Sequence, residues 1–168
     1  MSREMHAHFR AFAGYNAWAN RRLYDAAAKL PEAEYMKPRP AFFKSIHGTL
    51  NHILVADRIW LGRLEHRDPH IKSLDQILYG ELAGLRVARQ AEDARLIAFV
   101  DRLTEAELLG SATYKNTQGK PFTTPLAQVL AHLFNHQTHH RGQATDLLAQ
   151  TGVPPPELDL IYYLREDH

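Results

Sequence analysis

Apolar residues recur every three or four positions along most of the chain, which is the spacing of amphipathic α-helices. Short stretches rich in proline and glycine divide this pattern into long blocks. The blocks run from about Met5 to Leu30, from an N-cap at Ser45 to about Glu65, from about Leu74 to Leu103, and from Thr124 to about Thr151. The pattern predicts an all-α protein in which four long helices form an up-down bundle.

The stretch just before the last block has a different character. Ser111–Tyr114 and Pro121–Thr124 are β-prone, and Gln118-Gly119 between them is typical of a turn, which predicts a small β-hairpin. Thr124 followed by Pro125 predicts the start of the last long helix. Prolines in "PEAEYMKPRPAFF" predict a loop, and "ELDLIYYLRE" predicts a short terminal helix.

Composition narrows the classes of function. The chain has 168 residues, which suits a single domain over 1–168 with its own core. Lys and Arg (20) nearly balance Asp and Glu (19) without a basic run, so we expect no nucleic-acid binding. The start "MSREMHAHFR" lacks the apolar core of a signal peptide, and no segment is long enough to span a bilayer, so we expect no membrane association and a cytoplasmic protein.

Cysteine is absent from the chain, which excludes disulfides and thiolate ligands. Histidine is plentiful instead, and it is concentrated in the segment "HLFNHQTHHRGQ", which begins at His132. With about 100° of rotation per residue, His136 and His140 fall on or beside the apolar face of the last helix, whereas His132 and His139 point toward its polar side. Two histidines four positions apart can place their imidazoles on one metal ion.

A divalent ion needs at least a third ligand. His52 lies beside the apolar face of the second block, and His47 lies on the opposite edge, so we expect His52 to join His136 and His140. Three neutral imidazoles suit zinc, nickel or another transition metal and leave positions open for water. The same spacing also fits a surface pair, a hydrogen-bonded core pair or a weak surface chelate. A zinc protease is disfavoured, because Gln137 replaces the glutamate base of the H-E-x-x-H motif.

Several polar residues accompany these histidines. Asp57 falls near the middle of the second block's apolar face, and Arg141 falls at the edge of the last block's face. They either reach solvent at the end of the bundle or form a buried Asp57–Arg141 pair that supports the metal site. His139, His132 and Gln143 are either groups that support the ligands or transfer protons, or ordinary solvated residues.

Three segments resemble motifs of the DinB-like (DinB/YfiT) family: "YNAWANRRL", "LNHILVADRIWLGRL" and "HLFNHQTHHRGQ". The order of helices and the hairpin also agree, so the resemblance covers nearly the whole chain. It implies a four-helix bundle with a three-histidine metal site at His52, His136 and His140, commonly in a homodimer. Members are called damage-inducible, which describes expression, and some relatives are transferases or isomerases that use low-molecular-weight thiols.

These observations lead to an expected function and one alternative. We expect a metal-dependent enzyme, either a thiol-dependent transferase or isomerase or a hydrolase, acting on a small molecule. Its cofactors would be a divalent metal, zinc or nickel, and a low-molecular-weight thiol supplied from outside the chain. The alternative is a non-catalytic stress-response dimer whose metal is structural or sensory.

Apolar positions on the first two long helices predict a homodimer. On the second helix they cover more than half of the circumference and include Val55 on the far side. On the first helix, Phe9, Phe12, Tyr15 and Trp18 cannot all point one way. This surplus favours a twofold contact with a second copy. Alternatively, loops and the terminal "IYYL" segment cover the same surface within one chain.

Overall fold

A computed structural model describes residues 2–166; Met1, Asp167 and His168 of the predicted domain lie outside the described residues. The helices are α1 (Ser2–Ala27), α2 (Glu32–Met36), α3 (Ile46–Leu64), α4 (Leu82–Arg102), α5 (Glu105–Leu109), α6 (Leu126–Ala149) and α7 (Leu160–Tyr163). The strands β1 (Ser111–Lys115) and β2 (Pro121–Pro125) pair in antiparallel fashion. None of the helices within 2–166 is both long and apolar enough to cross a bilayer.

The four long helices form a closed ring. Helix α1 packs against α4 and α6, and α3 packs against the same two helices. The all-α bundle and the hairpin before its last long helix are therefore confirmed. Helix α3 runs antiparallel to α6 but parallel to α4, as shown by the contacts Asp57–Arg89 and Glu65–Arg95. Helices α1 and α3 therefore run in opposite directions, and so do α4 and α6. The up-down alternation is interrupted between α3 and α4, which run in the same direction, because the loop over residues 65–81 returns along the bundle.

Local signals explain where the helices begin, and they correct several predicted boundaries. The Ser45 hydroxyl accepts a hydrogen bond from the Gly48 N–H, so the predicted N-cap of α3 is confirmed. The prediction that Thr124 begins the last helix is wrong, because Thr124 and Pro125 belong to β2 and the Leu126 N–H donates to the Gly110 carbonyl.

The third predicted block starts too early, since α4 begins only at Leu82. The backbone N–H groups of Leu78 and Tyr79 are bound by the side chain of Asn51, which holds this segment outside the helix. Two short helices, α2 inside the predicted loop and α5 after α4, were not predicted from the sequence. Five-residue helices carry too little periodicity to be recognised.

A polar layer divides the bundle core into two apolar clusters. One cluster includes Leu23, Leu50, Leu85 and Leu147, and the other includes Phe9, Leu61, Leu96 and Leu130. On each long helix, buried polar residues lie between the residues that belong to one cluster and those that belong to the other. They are Asn16 and Asn20 on α1, Asp57 on α3, Arg89, Glu92 and Asp93 on α4, and Gln137 and Arg141 on α6. His136 and His140 lie between the two clusters on α6, and His52 approaches them from α3.

The apolar side chains that motivated the dimer prediction are buried within the chain itself. Val55 is fully buried, and Tyr15 and Trp18 are almost so. The ring of Tyr163 in α7 lies 6.0 Å from that of Tyr15 and 5.9 Å from that of Trp18, and the Tyr15 hydroxyl donates to the Leu158 carbonyl. The terminal segment covers Tyr15 and Trp18, and Val55 is also buried within the chain, so these positions do not favour a partner, and the homodimer stays a prediction.

Candidate metal centre

Three imidazoles from two helices converge at the polar layer. The Nε2 atom of His52 on α3 lies 3.3 Å from Nε2 of His136 and 3.2 Å from Nε2 of His140, both on α6. The two α6 residues are one helical turn apart, so their rings project side by side toward α3. Among the described residues, these three form the one group of histidine, aspartate and glutamate side chains whose ligand atoms all lie within 4.8 Å of one another.

Hydrogen bonds on the outer ring nitrogens define the tautomers of two of these histidines. His52 donates from Nδ1–H to the Leu74 carbonyl at 2.7 Å, and His140 donates from Nδ1–H to Oε1 of Gln143 at 2.8 Å. A carbonyl or amide oxygen can only accept, so the ring proton is on Nδ1 and the lone pair is on Nε2. Two lone pairs therefore face each other across 3.2 Å, an arrangement that repels unless a cation lies between them.

The spacing of the nitrogens fits a divalent transition-metal ion. An ion bound tetrahedrally at about 2.0–2.1 Å requires ligand nitrogens about 3.3–3.4 Å apart. The separations of 3.2 and 3.3 Å agree with this requirement. Imidazole nitrogens suit zinc and nickel, so the donor set could hold either ion.

The electrostatic environment keeps these imidazoles neutral at physiological pH. Burial, reinforced by the neighbouring imidazoles, lowers the pKa of His136 to about 3. Burial also lowers the pKa of His140 to about 4, against the effect of its hydrogen bond with Gln143. The pKa of His52 is lowered by burial as well, although the Leu74 carbonyl and Asp57 oppose this. Neutral imidazoles are the form that binds metal, so protons compete weakly for this site near pH 7.

Phe43 forms one wall of the site and was not predicted from the sequence. Its ring stacks on His52 with centroids 3.7 Å apart and meets the edge of His140 at 5.5 Å. Gly48 allows this placement, because a Cβ there would lie 2.0 Å from the Phe43 carbonyl oxygen. The adjacent Phe42 is 83% exposed, so the wall continues to the protein surface.

Asn51 anchors the loop that orients His52. It is fully buried, and its Oδ1 accepts hydrogen bonds from the N–H groups of Leu78 at 2.9 Å and Tyr79 at 3.1 Å. Its Nδ2 donates to the carbonyls of His47 at 3.1 Å and Tyr79 at 3.3 Å. The same loop supplies the Leu74 carbonyl that holds Nδ1 of His52, so the sequence neighbour of a candidate ligand fixes that ligand's orientation.

The structure buries both Asp57 and Arg141, but it does not pair them directly as the sequence predicted. Asp57 lies 2.7 Å from Arg89 on α4, and Arg89 lies 3.0 Å from Asp93. The Arg89 nitrogens lack hydrogen-bond geometry, so these contacts are mainly Coulombic. Gln137 connects the two predicted partners, because its Nε2 donates to Asp57 and its Oε1 accepts from Arg141 at 3.3 Å. Arg141 donates instead to Asn16 on α1, whereas Arg89 on α4 reaches Asp57.

Charge compensation governs ionisation in this polar layer. Burial raises the pKa of Asp57, and the Arg89 guanidinium opposes that rise. Burial likewise raises the pKa of Asp93, again opposed by Arg89. For Arg89 burial acts to lower the pKa, but Asp93 and Asp57 outweigh it, and the net shift is upward. Arg89, which lies between the two aspartates, is therefore the group that most opposes their protonation.

Gln143, His139 and His132, the residues predicted to support the ligands or transfer protons, lie around the histidine cluster. Gln143 joins His140 to His139, since its Nε2 donates to Nε2 of His139 at 3.2 Å. His139 is exposed, and its ring lies 4.8 Å from that of His140. His132 is also exposed and lies between the ring of Trp60 at 5.0 Å and that of His136 at 5.9 Å. All three therefore contact a candidate ligand or its hydrogen-bond partner.

Sequence reasoning missed Arg89 and the structural role of Gln137. The signals were present, since an aspartate in the middle of an apolar face requires a cation, and Arg89 and Asp93 are four residues apart on one helix. The sequence pattern marks Gln137 only as the residue that replaces the glutamate of the H-E-x-x-H motif. Nothing in the periodicity indicated that it is fully buried between two charges.

Two comparisons with known proteins agree with this architecture. A family model described as "DinB family" matches residues 1–167. The curated "Protein DinB" of Bacillus subtilis (strain 168) is 27% identical over 159 residues, which cover 89% of this chain and 90% of that protein. The family match extends over all four long helices and so includes the segments that carry His52, His136 and His140.

Proposed function

The chain belongs to the DinB family, and on this premise we propose that it is a metal-dependent enzyme acting on a small molecule. The observation that carries the proposal is the pair of lone-pair nitrogens on His52 and His140, 3.2 Å apart, with Nε2 of His136 beside them. The depressed pKa values of His136 and His140 make a shared proton unfavourable at neutral pH, so a metal cation is the better occupant.

Three protein ligands are characteristic of catalytic rather than structural metal sites. No fourth histidine, aspartate or glutamate of the described residues joins the cluster, and the chain has no cysteine. Positions remain for water or for a ligand from solution. A divalent ion, zinc or nickel, would supply Lewis acidity and lower the pKa of a water or thiol that reaches it.

The residues around the cluster have distinct roles in this proposal. The Leu74 carbonyl and Gln143 hold two of the ligands in the tautomer that presents Nε2. Phe43 excludes water from one side of His52. His139 is exposed and linked through Gln143 to His140, which suits it to exchange protons between solvent and a bound substrate.

Two reaction classes are compatible with this arrangement. In a thiol-dependent transferase or isomerase, a low-molecular-weight thiol would be the nucleophile, and the absence of cysteine means that the thiol comes from solution. In a hydrolase, water would take that place. Gln137 cannot act as the base of either reaction, because its amide does not accept a proton and is fully buried between Asp57 and Arg141.

Metal analysis of the purified protein, combined with thiol-transfer and hydrolase assays, tests the proposal. We expect close to one divalent ion per chain in the wild type and in the control variant His132→Ala, which alters a neighbouring but outward histidine. The His136→Ala variant should lose most of the metal and of any activity. Full metal stoichiometry in His136→Ala would contradict the assignment, and a metal-replete protein inactive in both assays would favour a structural or sensory metal.

We also propose that the protein forms a homodimer. Its support is the family membership, because the resemblance implies a homodimer. Light scattering at micromolar concentration measures the assembly. A mass near the 19.2 kDa of one chain would contradict the dimer.

A further inference from the structure

Arg63, in the last turn of α3, is a half-buried cation that has no acidic partner within the part of the chain that the structure describes. Neighbouring arginines are paired, since Arg58 contacts Glu92 and Arg95 contacts both Glu92 and Glu65. Among the described residues, no aspartate or glutamate lies within 4.0 Å of the Arg63 side-chain nitrogens. A partly desolvated guanidinium without a counter-ion is costly unless something else binds to it.

Two aromatic rings hold this guanidinium in place. Its central carbon lies 4.6 Å from the centre of the Trp60 ring and 5.5 Å from that of Tyr114 on β1. The Tyr114 hydroxyl is in turn within hydrogen-bond distance, 3.3 Å, of the Thr124 hydroxyl on β2. Burial lowers the pKa of Arg63, against the influence of Tyr114. The rings orient the planar cation without neutralising it, which leaves its N–H groups to bind an anion.

A continuous row of side chains connects Arg63 with the candidate metal centre. The Trp60 ring, over which the guanidinium lies, is 5.0 Å from the ring of His132, and His132 is 5.9 Å from His136. The row follows the antiparallel contact between α3 and α6. These spacings follow one another along the row, so an extended molecule about three to four residues long would be needed to place one end at each site.

A cavity next to Arg63 provides room for the charged end of such a molecule. Its volume is about 520 Å³, and Arg63, His66 and Thr113 are among the residues that line it. Glu107 also lines this cavity, but its carboxylate accepts hydrogen bonds from the backbone N–H and the hydroxyl of Thr104, both at 2.7 Å. This carboxylate is thus engaged in capping α5 rather than in pairing with Arg63.

We propose that Arg63 binds the carboxylate of an acidic low-molecular-weight thiol whose sulfur lies at the His52–His136–His140 centre. This inference rests on the proposed function, because it needs a metal at that centre. A planar carboxylate matches the fork of N–H donors that the guanidinium presents. The enzyme would therefore select acidic molecules over neutral ones of the same shape.

Thiol binding to the cobalt(II)-loaded protein tests this selectivity. The probes are glutathione, an acidic tripeptide thiol, and its diethyl ester, which has the same thiol but no carboxylates. Absorption from cobalt–thiolate bonds reports binding without any need for catalysis. We expect the wild type to bind the acid about ten- to a hundredfold more tightly than the ester, the range of a charge-assisted hydrogen bond. Arg63→Met should lose this preference while its affinity for the ester stays unchanged.

The exposed Arg67, four residues after Arg63 in the loop that follows α3, offers a control with the same change of net charge. Arg67→Met should keep the preference for the acid, and an unchanged cobalt spectrum before thiol addition verifies that each variant folds. Equal affinities for acid and ester in the wild type, or equal losses in the two variants, would overturn the Arg63 site alone. Failure of the wild type to take up cobalt at all would overturn the proposed metal centre and this inference with it.

Discussion

Replacing Arg89 by methionine tests whether the polar layer is held together by charge compensation. The substitution keeps an unbranched apolar stem but removes the cation that lies 2.7 Å from Asp57 and 3.0 Å from Asp93. Breaking a buried ion pair by removing one partner costs about 3–5 kcal/mol, because the remaining charge is left without compensation. Arg89 is only 2% exposed, so in the folded chain its charge is compensated by these carboxylates rather than by bulk water.

For Arg89→Met we expect a cost at the lower end of the range of about 3–5 kcal/mol, because both aspartates keep other hydrogen bonds. Asp57 keeps the hydrogen bond from Gln137, and Asp93 keeps those from Asn16 at 3.1 Å and Asn20 at 2.9 Å. We therefore expect a loss of about 3 kcal/mol in the free energy of unfolding at pH 7. For a chain of this length that corresponds to a melting temperature lower by about 6–12 °C.

The loss of stability in Arg89→Met should become smaller as the pH falls. Burial already raises the pKa of Asp57 and Asp93, and Arg89 opposes that rise. Without Arg89 both pKa values rise further above those of the unfolded chain, so the folded variant takes up protons that the unfolded chain does not. Its stability relative to the wild type then increases as the pH falls from 8 toward about 5.

Urea denaturation at several pH values measures this effect. The control is Arg86→Met, which removes an arginine of the same helix whose partner Asp25 is at the surface, and it should cost less than about 1 kcal/mol. The double variant Arg89→Met/Asp57→Asn should regain part of the loss, because one of the two uncompensated charges is removed. A loss below about 1 kcal/mol in Arg89→Met, or a loss that does not shrink on acidification, would refute this account.

Three further outcomes follow from the metal centre and its supports. Chelation should lower the melting temperature but leave the helical circular dichroism largely intact, because two apolar clusters remain packed; complete unfolding would show a structural metal. Asn51→Ala should weaken metal binding about 10- to 100-fold in equilibrium dialysis by releasing the loop that holds His52 through Leu74, and an unchanged affinity would argue against that role. In the metal-free protein, the pKa values of about 3 for His136 and about 4 for His140 lie below that of an unfolded histidine. The unfolded chain therefore binds more protons between about pH 6.5 and 4, and the melting temperature should fall through that window, more steeply than in His136→Gln.

The sequence determined the parts of this protein that depend on local pattern. Apolar periodicity predicted the four long helices, Ser45 predicted the start of α3, and two β-prone runs around Gln118-Gly119 predicted the hairpin. Helical spacing also predicted that His136 and His140 project from one face of α6, because side chains four residues apart lie on adjacent turns. Each of these features is fixed by residues close together in the chain.

The tertiary structure decided which distant groups meet. Only the antiparallel contact of α3 with α6 brings His52 to the other two histidines, and only the parallel run of α4 beside α3 makes Arg89, rather than Arg141, the partner of Asp57. Phe43, the Leu74 carbonyl and the Trp60–Tyr114 contacts of Arg63 likewise come from loops and a hairpin whose positions no periodicity encodes. Such contacts depend on how whole helices pack, and that is set by the summed fit of both apolar clusters rather than by any one segment.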